Sequence, residues 1–280
     1  MYSYSIYKNM KLGDKGNEVK AIQMSLPTWS SNGSPLVLDG IFGKSTEDAV
    51  KRYQKEMRFN VDGIVGELTG KSLGIWIYVD EGIDCSHYQK VDYEKFSKEN
   101  KNKSFAILKA TEGKDYKDPM FMDHSIGFHS IGLSLGAYHF TKFKNSSFDE
   151  AMNFCQSIFN SSVFYDFVFL DLEHRDTDLS GIEIMSWTQD FLDIVSRSLG
   201  RKLISKKDVG IYTSSNYLRE MKLQNYNWMK SYNLWACDWE DQPIVYPWDN
   251  WEFWQYSSKG SLAGIEGYVD LNLKKRRVIG

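Results

Sequence analysis

From Gly82 onward the chain alternates short β-prone runs with helical spacers, and no other feature limits its fold as much. The candidate strands are Gly82–Cys85, Phe105–Ala110, Leu135–Phe140, Phe167–Glu173, Val209–Thr213, Leu234–Cys237, Glu252–Tyr256 and Tyr268–Leu271. Helical spacers such as Asp149–Phe159 and Ile182–Leu199 follow the early strands, whereas the last two gaps hold Pro243, Pro247 and a Ser/Gly-rich loop at Ser257–Gly267. Eight strands, covered by helices at first and joined by loops at the end, predict an α/β barrel whose final strands lack covering helices.

The fourth of these runs ends in acids. Within Phe167-Val168-Phe169-Leu170-Asp171-Leu172-Glu173-His174, alternate side chains share a face, so Asp171 and Glu173 point the same way, with Phe167 and Phe169 beneath them. Val168, Leu170 and Leu172 fill the other face, as in a parallel strand buried on both sides. In barrels of this kind the reacting groups gather at the C-terminal ends of strands, where this chain also places Asp84 and Asp270. Closure brings the first and last strands together, so four carboxylates from three strands are expected to face one cleft. Like charges crowded in a partly desolvated cleft push at least one pKa upward, and an acid protonated near neutral pH can protonate the bridging oxygen of a glycosidic bond. Two residues of strand rise place the Asp171 and Glu173 Cα atoms ~6.6 Å apart, which is compatible with either retention or inversion.

Ahead of the barrel an internal repeat marks a second domain. Asp39-Gly40-Ile41-Phe42-Gly43 with Thr46 recurs 23 residues later as Asp62-Gly63-Ile64-Val65-Gly66 with Thr69. Each copy reads as a turn leading into a helix, in which glycine supplies backbone angles that other residues resist and the Ser45, Thr46 or Thr69 hydroxyl can cap the next turn. Taken singly, each Asp-Gly pair reads as an ordinary turn. Ala49, Val50, Tyr53 and Met57 fall at helical spacing, as do Val19, Ile22, Gln23 and Leu26, so a small three-helix bundle is expected.

Composition narrows the functional classes. A net charge of −3 argues against nucleic acid as a partner, and the dense basic run Lys274–Arg277 reads as a solvated tail. Three distant cysteines, Cys85, Cys155 and Cys237, do not suggest a disulfide framework and fit synthesis in a reducing cytoplasm. Met1–Met10 lacks the cationic start and apolar core of a secretory signal, and no run approaches the ~18 apolar residues that span a bilayer, so no membrane insertion is expected. His139 reads as a core histidine, while His87, His124, His129 and His174 lack zinc-ligand spacing, so neither a metal nor a cofactor is expected. Nine Trp and 17 Tyr could stack on sugar faces, although most of them must fill the core.

Two resemblances sharpen this reading. Residues 8–74, with Leu12-Gly13-Asp14-Lys15-Gly16-Asn17-Glu18-Val19 ahead of the doubled motif, resemble the helical peptidoglycan-binding domain of wall hydrolases. Gly82–Gln89, Ile107–Gly113, Gly136–Phe140, the Asp171-x-Glu173 strand, Gly210–Thr213, Trp254–Tyr256 and Val269–Asn272 together resemble glycoside hydrolase family 25, which contains lysozymes of bacteria and their phages.

The second resemblance implies a flattened (β/α)5(β)3 barrel that cleaves the β-1,4 bond between N-acetylmuramic acid and N-acetylglucosamine. It implies Glu173 as general acid/base, Asp171 as its strand neighbour, and Asp84 and Asp270 as flanking acids. Tyr138, Tyr212 and Trp254 would line the sugar groove, with Lys109 and Asn272 as further substrate contacts. Cys85, where the family more often has an apolar residue, and the loosely matching Trp235–Trp239 segment depart from the pattern.

The expected organisation is a peptidoglycan-binding domain at 1–75, a short linker at 76–81 and a catalytic barrel at 82–280. The expected partner is bacterial peptidoglycan, and the basic tail could also be weakly drawn to anionic wall polymers. A phage or prophage endolysin made without a signal peptide would need a separate holin-type protein for release. The alternatives are a bacterial autolysin, a catalytically silent wall-binding protein, and an amidase, which would normally need a metal or a Cys/His pair.

Overall fold

The computed structural model of the protein describes residues 5–26, 35–199 and 208–276. Met1–Tyr4 of the tyrosine-rich start and Arg277 of the basic run lie outside them. The chain divides into two compact units, one made chiefly of the segment up to Val79, the other of Asp80–Trp239 and Pro243–Lys274.

The first unit holds three helices, α1 (Asn17–Ser25), α2 (Lys44–Glu56) and α3 (Glu67–Ser72). Val19, Ile22, Leu26, Phe42, Ala49, Val50, Tyr53 and Val65 close into one apolar core, as their helical spacing requires. The doubled motif has a mechanical explanation. Gln23 donates through Nε2 to Asp39 Oδ1 at 2.8 Å, Ile41 O at 3.1 Å and Thr46 Oγ1 at 3.3 Å, while its Oε1 accepts from Gly40 N at 3.0 Å. Gln54 repeats the pattern on Asp62 at 2.9 Å, Ile64 at 2.9 Å, Thr69 at 3.3 Å and Gly63 N at 2.9 Å. Gly40 and Gly63 have φ of 72° and 75°, the left-handed region that favours glycine. The expected hydroxyl caps are not formed. Gly43 and Gly66 stand at the N-cap positions without side-chain caps, and Thr46 and Thr69 serve the glutamine amides instead.

The second unit is a closed barrel. Its strands are β1 (Val79–Cys85), β2 (Lys103–Glu112), β4 (Ser134–Phe140), β5 (Phe167–Asp171), β6 (Val209–Thr213), β7 (Asn233–Cys237), β8 (Phe253–Gly260) and β9 (Val269–Lys275). A two-residue arm, β3 (Tyr116–Lys117), folds back antiparallel on the end of β2. The sheet runs β1-β9-β8-β7-β6-β5-β4-β2-β3 and closes through a parallel β1–β2 pairing. Strands β2 to β8, the arm aside, are parallel, and only β9 among the barrel strands pairs antiparallel, on β8. Helices α4 (Tyr93–Glu99), α5 (Phe121–Ser130), α6 (Ser147–Asn160), α7 (Gly181–Leu199) and α8 (Ser215–Glu220) follow the first five barrel strands, and loops join the last three. This is the expected (β/α)5(β)3 order. Asp92, Ser146 and Ser214 cap α4, α6 and α8 by accepting the backbone N–H three residues on.

Large aromatic side chains fill the barrel interior. Phe105, Ile107, Phe167, Phe169, Tyr212, Trp235 and Phe253 form one buried cluster, with the Phe167 and Phe253 rings 4.7 Å apart and Phe169 and Trp235 5.1 Å apart. Room for these rings comes from glycines on neighbouring strands. A Cβ at Gly82 would lie 2.5 Å from the Phe105 ring, at Gly136 2.2 Å from Phe167, and at Gly210 2.5 Å from Phe169. Val168, Leu170 and Leu172 are fully buried on the opposite face. His139 is a satisfied core histidine, pairing its ring nitrogens with Thr111 Oγ1 at 2.7 Å and Glu150 Oε2 at 2.9 Å. The aromatic plug lies directly beneath the strand ends that carry the acids.

Candidate active site

Strand parity selects what reaches the mouth of the barrel. On β5 the pleat that turns Phe167 and Phe169 inward also turns Asp171 inward, one step above the plug. The strand stops there, and Glu173 stands two residues on, beyond the regular ladder and only partly buried. Asp84 is the inward residue near the end of β1, whereas Asp270 lies near the start of β9 and not at the strand end expected, because β9 runs antiparallel to β8 and begins at the rim where the parallel strands finish.

Asp84 is held by amides. Its Oδ2 accepts from Asn272 Nδ2 at 2.7 Å and from Gln255 Nε2 at 2.9 Å, and it shares a further hydrogen bond with Asp270. Asn272 in turn accepts from Trp235 Nε1 at 2.8 Å. Burial, followed by the charge of Asp270, pushes the Asp84 carboxyl well above the usual carboxylate range despite the two amide donors. A proton shared between Asp84 and Asp270 satisfies both conditions.

Asp171 is likewise buried and raised, first by burial and then by the charge of Glu173, while Lys109 pulls the other way. Among the described residues its Oδ1 is buried without a hydrogen-bond partner. Glu173 is raised by burial and by Asp270, and lowered by Arg175 and Lys109. Each of the four acids therefore senses at least one of the others, so the structure brings Asp84, Asp171, Glu173 and Asp270 together around one mouth.

The other candidates divide. Tyr138, inward on β4, feels the charges of both Asp84 and Asp171. Tyr212 donates from its hydroxyl to Gln255 Oε1 at 3.1 Å and packs on Trp235 with ring centroids 4.6 Å apart. Lys109 reaches Glu112 at 2.8 Å and lies over the Phe140 ring at 5.1 Å. Asn272 is fully buried, and its amide meets Asp84 rather than the open side of the mouth.

Trp254 is placed differently from expectation. On β8, Phe253 joins the plug and Gln255 reaches Asp84, so the intervening Trp254 takes the other face, where its indole donates to Asp238 O at 2.7 Å and packs against Trp251. The inward residue of that motif is Gln255. Among the described residues no group of three or more His, Cys, Asp or Glu is arranged to hold a metal ion.

A family model described as Glycosyl hydrolases family 25 matches residues 83–265, which include all of the residues above except Asp270 and Asn272. The chain belongs to glycosyl hydrolase family 25. A second family model, for a peptidoglycan binding domain, matches residues 15–73 of this family 25 protein. It is 29% identical over 204 residues to lysozyme M1 of Streptomyces globisporus, an alignment covering 69% of this chain and 66% of that relative. The bacterial lysozyme of Streptomyces coelicolor superposes with a TM-score of 0.59 at 28% identity, covering 71% of this chain and 92% of that one. The CTP1L endolysin superposes with a TM-score of 0.56 at 26% identity, covering 69% of this chain and 65% of that one. Family and neighbours make the barrel a glycoside hydrolase of the lysozyme, or muramidase, type.

Sequence reasoning missed three residues at the family 25 site. Gln255 was hidden inside an aromatic motif, although its parity with Phe253 marks it as inward. Trp239, 58% exposed, donates from its indole to Gln255 Oε1 at 3.2 Å and stands in the segment that matched the family least well. Arg175 follows the acid pair in an exposed loop, donates to Glu173 O at 3.3 Å and pairs with Glu220 at 2.6 Å. An arginine two residues after a carboxylate was the available signal.

Proposed function

We propose that this protein cleaves the β-1,4 bond between N-acetylmuramic acid and N-acetylglucosamine in bacterial peptidoglycan, with Glu173 as general acid and then general base. The observation that carries this assignment is the contrast between Glu173 and Asp171. Glu173 is the more open of the two, so a bridging oxygen can reach it; burial raises both carboxyls and so favours a proton on the pair, and exposure rather than pKa selects Glu173 as the donor. Asp171 is buried with Oδ1 unpartnered, an acceptor suited to the N–H of a muramyl acetamido group. The acetamido oxygen then attacks the anomeric carbon of its own sugar, Asp171 counters the developing positive charge, and configuration is retained after water opens the intermediate. Asp84 and Asp270 flank the sugar and hold one proton between them. Lys109, Tyr138 and Tyr212 contact the substrate, and Asn272 supports Asp84.

In the organisation we propose, residues 1–75 form the wall-binding domain, 76–81 a linker and 82–280 the catalytic part. Tethering raises the effective concentration of the barrel on an insoluble polymer. The biological reading is a phage or prophage endolysin, supported by the likeness to the CTP1L endolysin and requiring a holin-type partner for release. A holin gene beside this one supports that reading, whereas a location outside any lysis cassette favours an autolysin. Among the described residues no helix is long and apolar enough to cross a membrane.

Substitution Glu173→Gln tests the mechanism. Clearing of purified cell walls should fall by about 10²–10⁴-fold while pull-down by the same walls persists. Undiminished clearing would remove Glu173 from the role, and free peptides without new reducing ends among the products would replace the muramidase with an amidase.

A further inference from the structure

Beside the acid cluster, the turn that leaves β1 presents a ledge with no part in the chemistry above. His87 stands three residues beyond Asp84, within about 10 Å of it along the extended chain. Its Nδ1 lies 2.7 Å from Oδ2 of Asp118, whose side chain is fully buried, and the same oxygen accepts the His87 backbone N–H at 3.2 Å. Asp118 Oδ1 accepts from Met120 N at 3.0 Å, so the carboxylate is fixed from both sides. The pairing directs the His87 Nδ1–H at Asp118 and leaves Nε2 with no hydrogen bond within the described residues.

Two rings flank this imidazole. Tyr88 stacks at a tilt with centroids 4.1 Å apart, and Tyr116, on the β3 arm, stands edge-on at 6.4 Å. Tyr88 is 79% exposed, yet the turn beneath it is braced: Gln89 Oε1 accepts from Ser86 N at 3.0 Å, Gln89 Nε2 donates to Tyr268 O at 3.1 Å, and His124 Nε2 meets Ser86 O at 3.1 Å. An exposed aromatic surface on a braced turn, with a spare acceptor at its edge, suits a pyranose, whose C–H face stacks on a ring while its hydroxyl or acetamido N–H donates. The ledge is continuous with the mouth, because Lys109, whose charge reaches Asp171 and Glu173, also lies over the Tyr116 ring at 5.8 Å.

We infer that His87, Tyr88 and Tyr116 form an outer subsite that binds a further amino-sugar ring of the glycan strand, away from the bond that is cut. This rests on the hydrolase reading above. It makes the protein sensitive to strand length, favouring polymer over short fragments.

The test is a series of defined oligosaccharides alternating N-acetylglucosamine and N-acetylmuramic acid, lengthened one repeat at a time. Wild-type kcat/KM should rise by about tenfold at the length that first reaches the ledge. Tyr88→Ala, which removes only an exposed side chain, and His87→Gln should each flatten that rise. A rise that survives in both variants, a wild type indifferent to length, or an equal loss at every length overturns the subsite. Wild-type protein that cleaves none of the oligomers overturns the hydrolase reading and the subsite with it.

Discussion

Gln255 donates from Nε2 to Asp84 Oδ2 at 2.9 Å while its Oε1 accepts from the hydroxyl of Tyr212 at 3.1 Å. One buried amide thus ties Tyr212 on β6 to the acid on β1. Gln255→Leu removes one of the two amide donors of Asp84 and takes from the Tyr212 hydroxyl this acceptor, and a lost buried hydrogen bond of about 2 kcal/mol corresponds to roughly 30-fold in rate. Steady-state kinetics on solubilised peptidoglycan should show the loss chiefly in kcat. An unchanged kcat would mean that Asp84 needs no such support.

The charges around Glu173 predict a pH response. Arg175 and Lys109 both lower its pKa, so removing either charge raises the pKa further and keeps the proton on Glu173 to higher pH. The alkaline limb of the kcat/KM profile should therefore move upward in Arg175→Met and in Lys109→Met. A downward move in either variant would contradict Glu173 as the group that must be protonated.

Stability should answer to Asp84. Its folded-state pKa is raised, so between the unfolded and folded values the native state binds more protons, and stability falls as pH climbs through that window. Asp84→Asn can accept from Asn272 and Gln255 and donate to Asp270 as the protonated acid does, without titrating. The variant should be more stable than wild type by about 1 kcal/mol at neutral pH, should lose that advantage below the ordinary aspartate range, and should be less active. Thermal melts across pH decide this, and a neutral-pH loss of stability would count against a shared proton at Asp84.

In the first unit, Gln54→Ala removes the amide that holds Asp62, Ile64 and Thr69 and leaves the Gly63 N–H without its acceptor. The cost should be about 2 kcal/mol locally. Hydrogen exchange at the Gly63 amide of the full chain should accelerate accordingly, and protection equal to wild type would show that the loop holds itself.

Much of this architecture was legible in the chain because strand parity and helical spacing are local signals. The run from Phe167 to Asp171 announced both its buried faces and its acid, and the shift from helix-covered to loop-joined strands gave the barrel order. What escaped were choices made by distant partners. The arm at Tyr116–Lys117 is two residues long, too short for any periodicity, and exists because β2 offers it an edge. Trp254 drew attention as an aromatic, while parity gave the inward place to Gln255. The glutamine latches were invisible because Gln23 and Gln54 lie 16 and 8 residues from the aspartates they hold. Glu173 reads as part of a strand in the sequence, whereas the strand ends at Asp171.

The aromatic stopper formed by Phe105, Phe167, Phe169, Trp235 and Phe253 has a consequence for how a polymer is handled. With the bore plugged, no strand can thread the barrel from one end to the other. A glycan can therefore reach the acids only from the rim of the barrel, never through its bore.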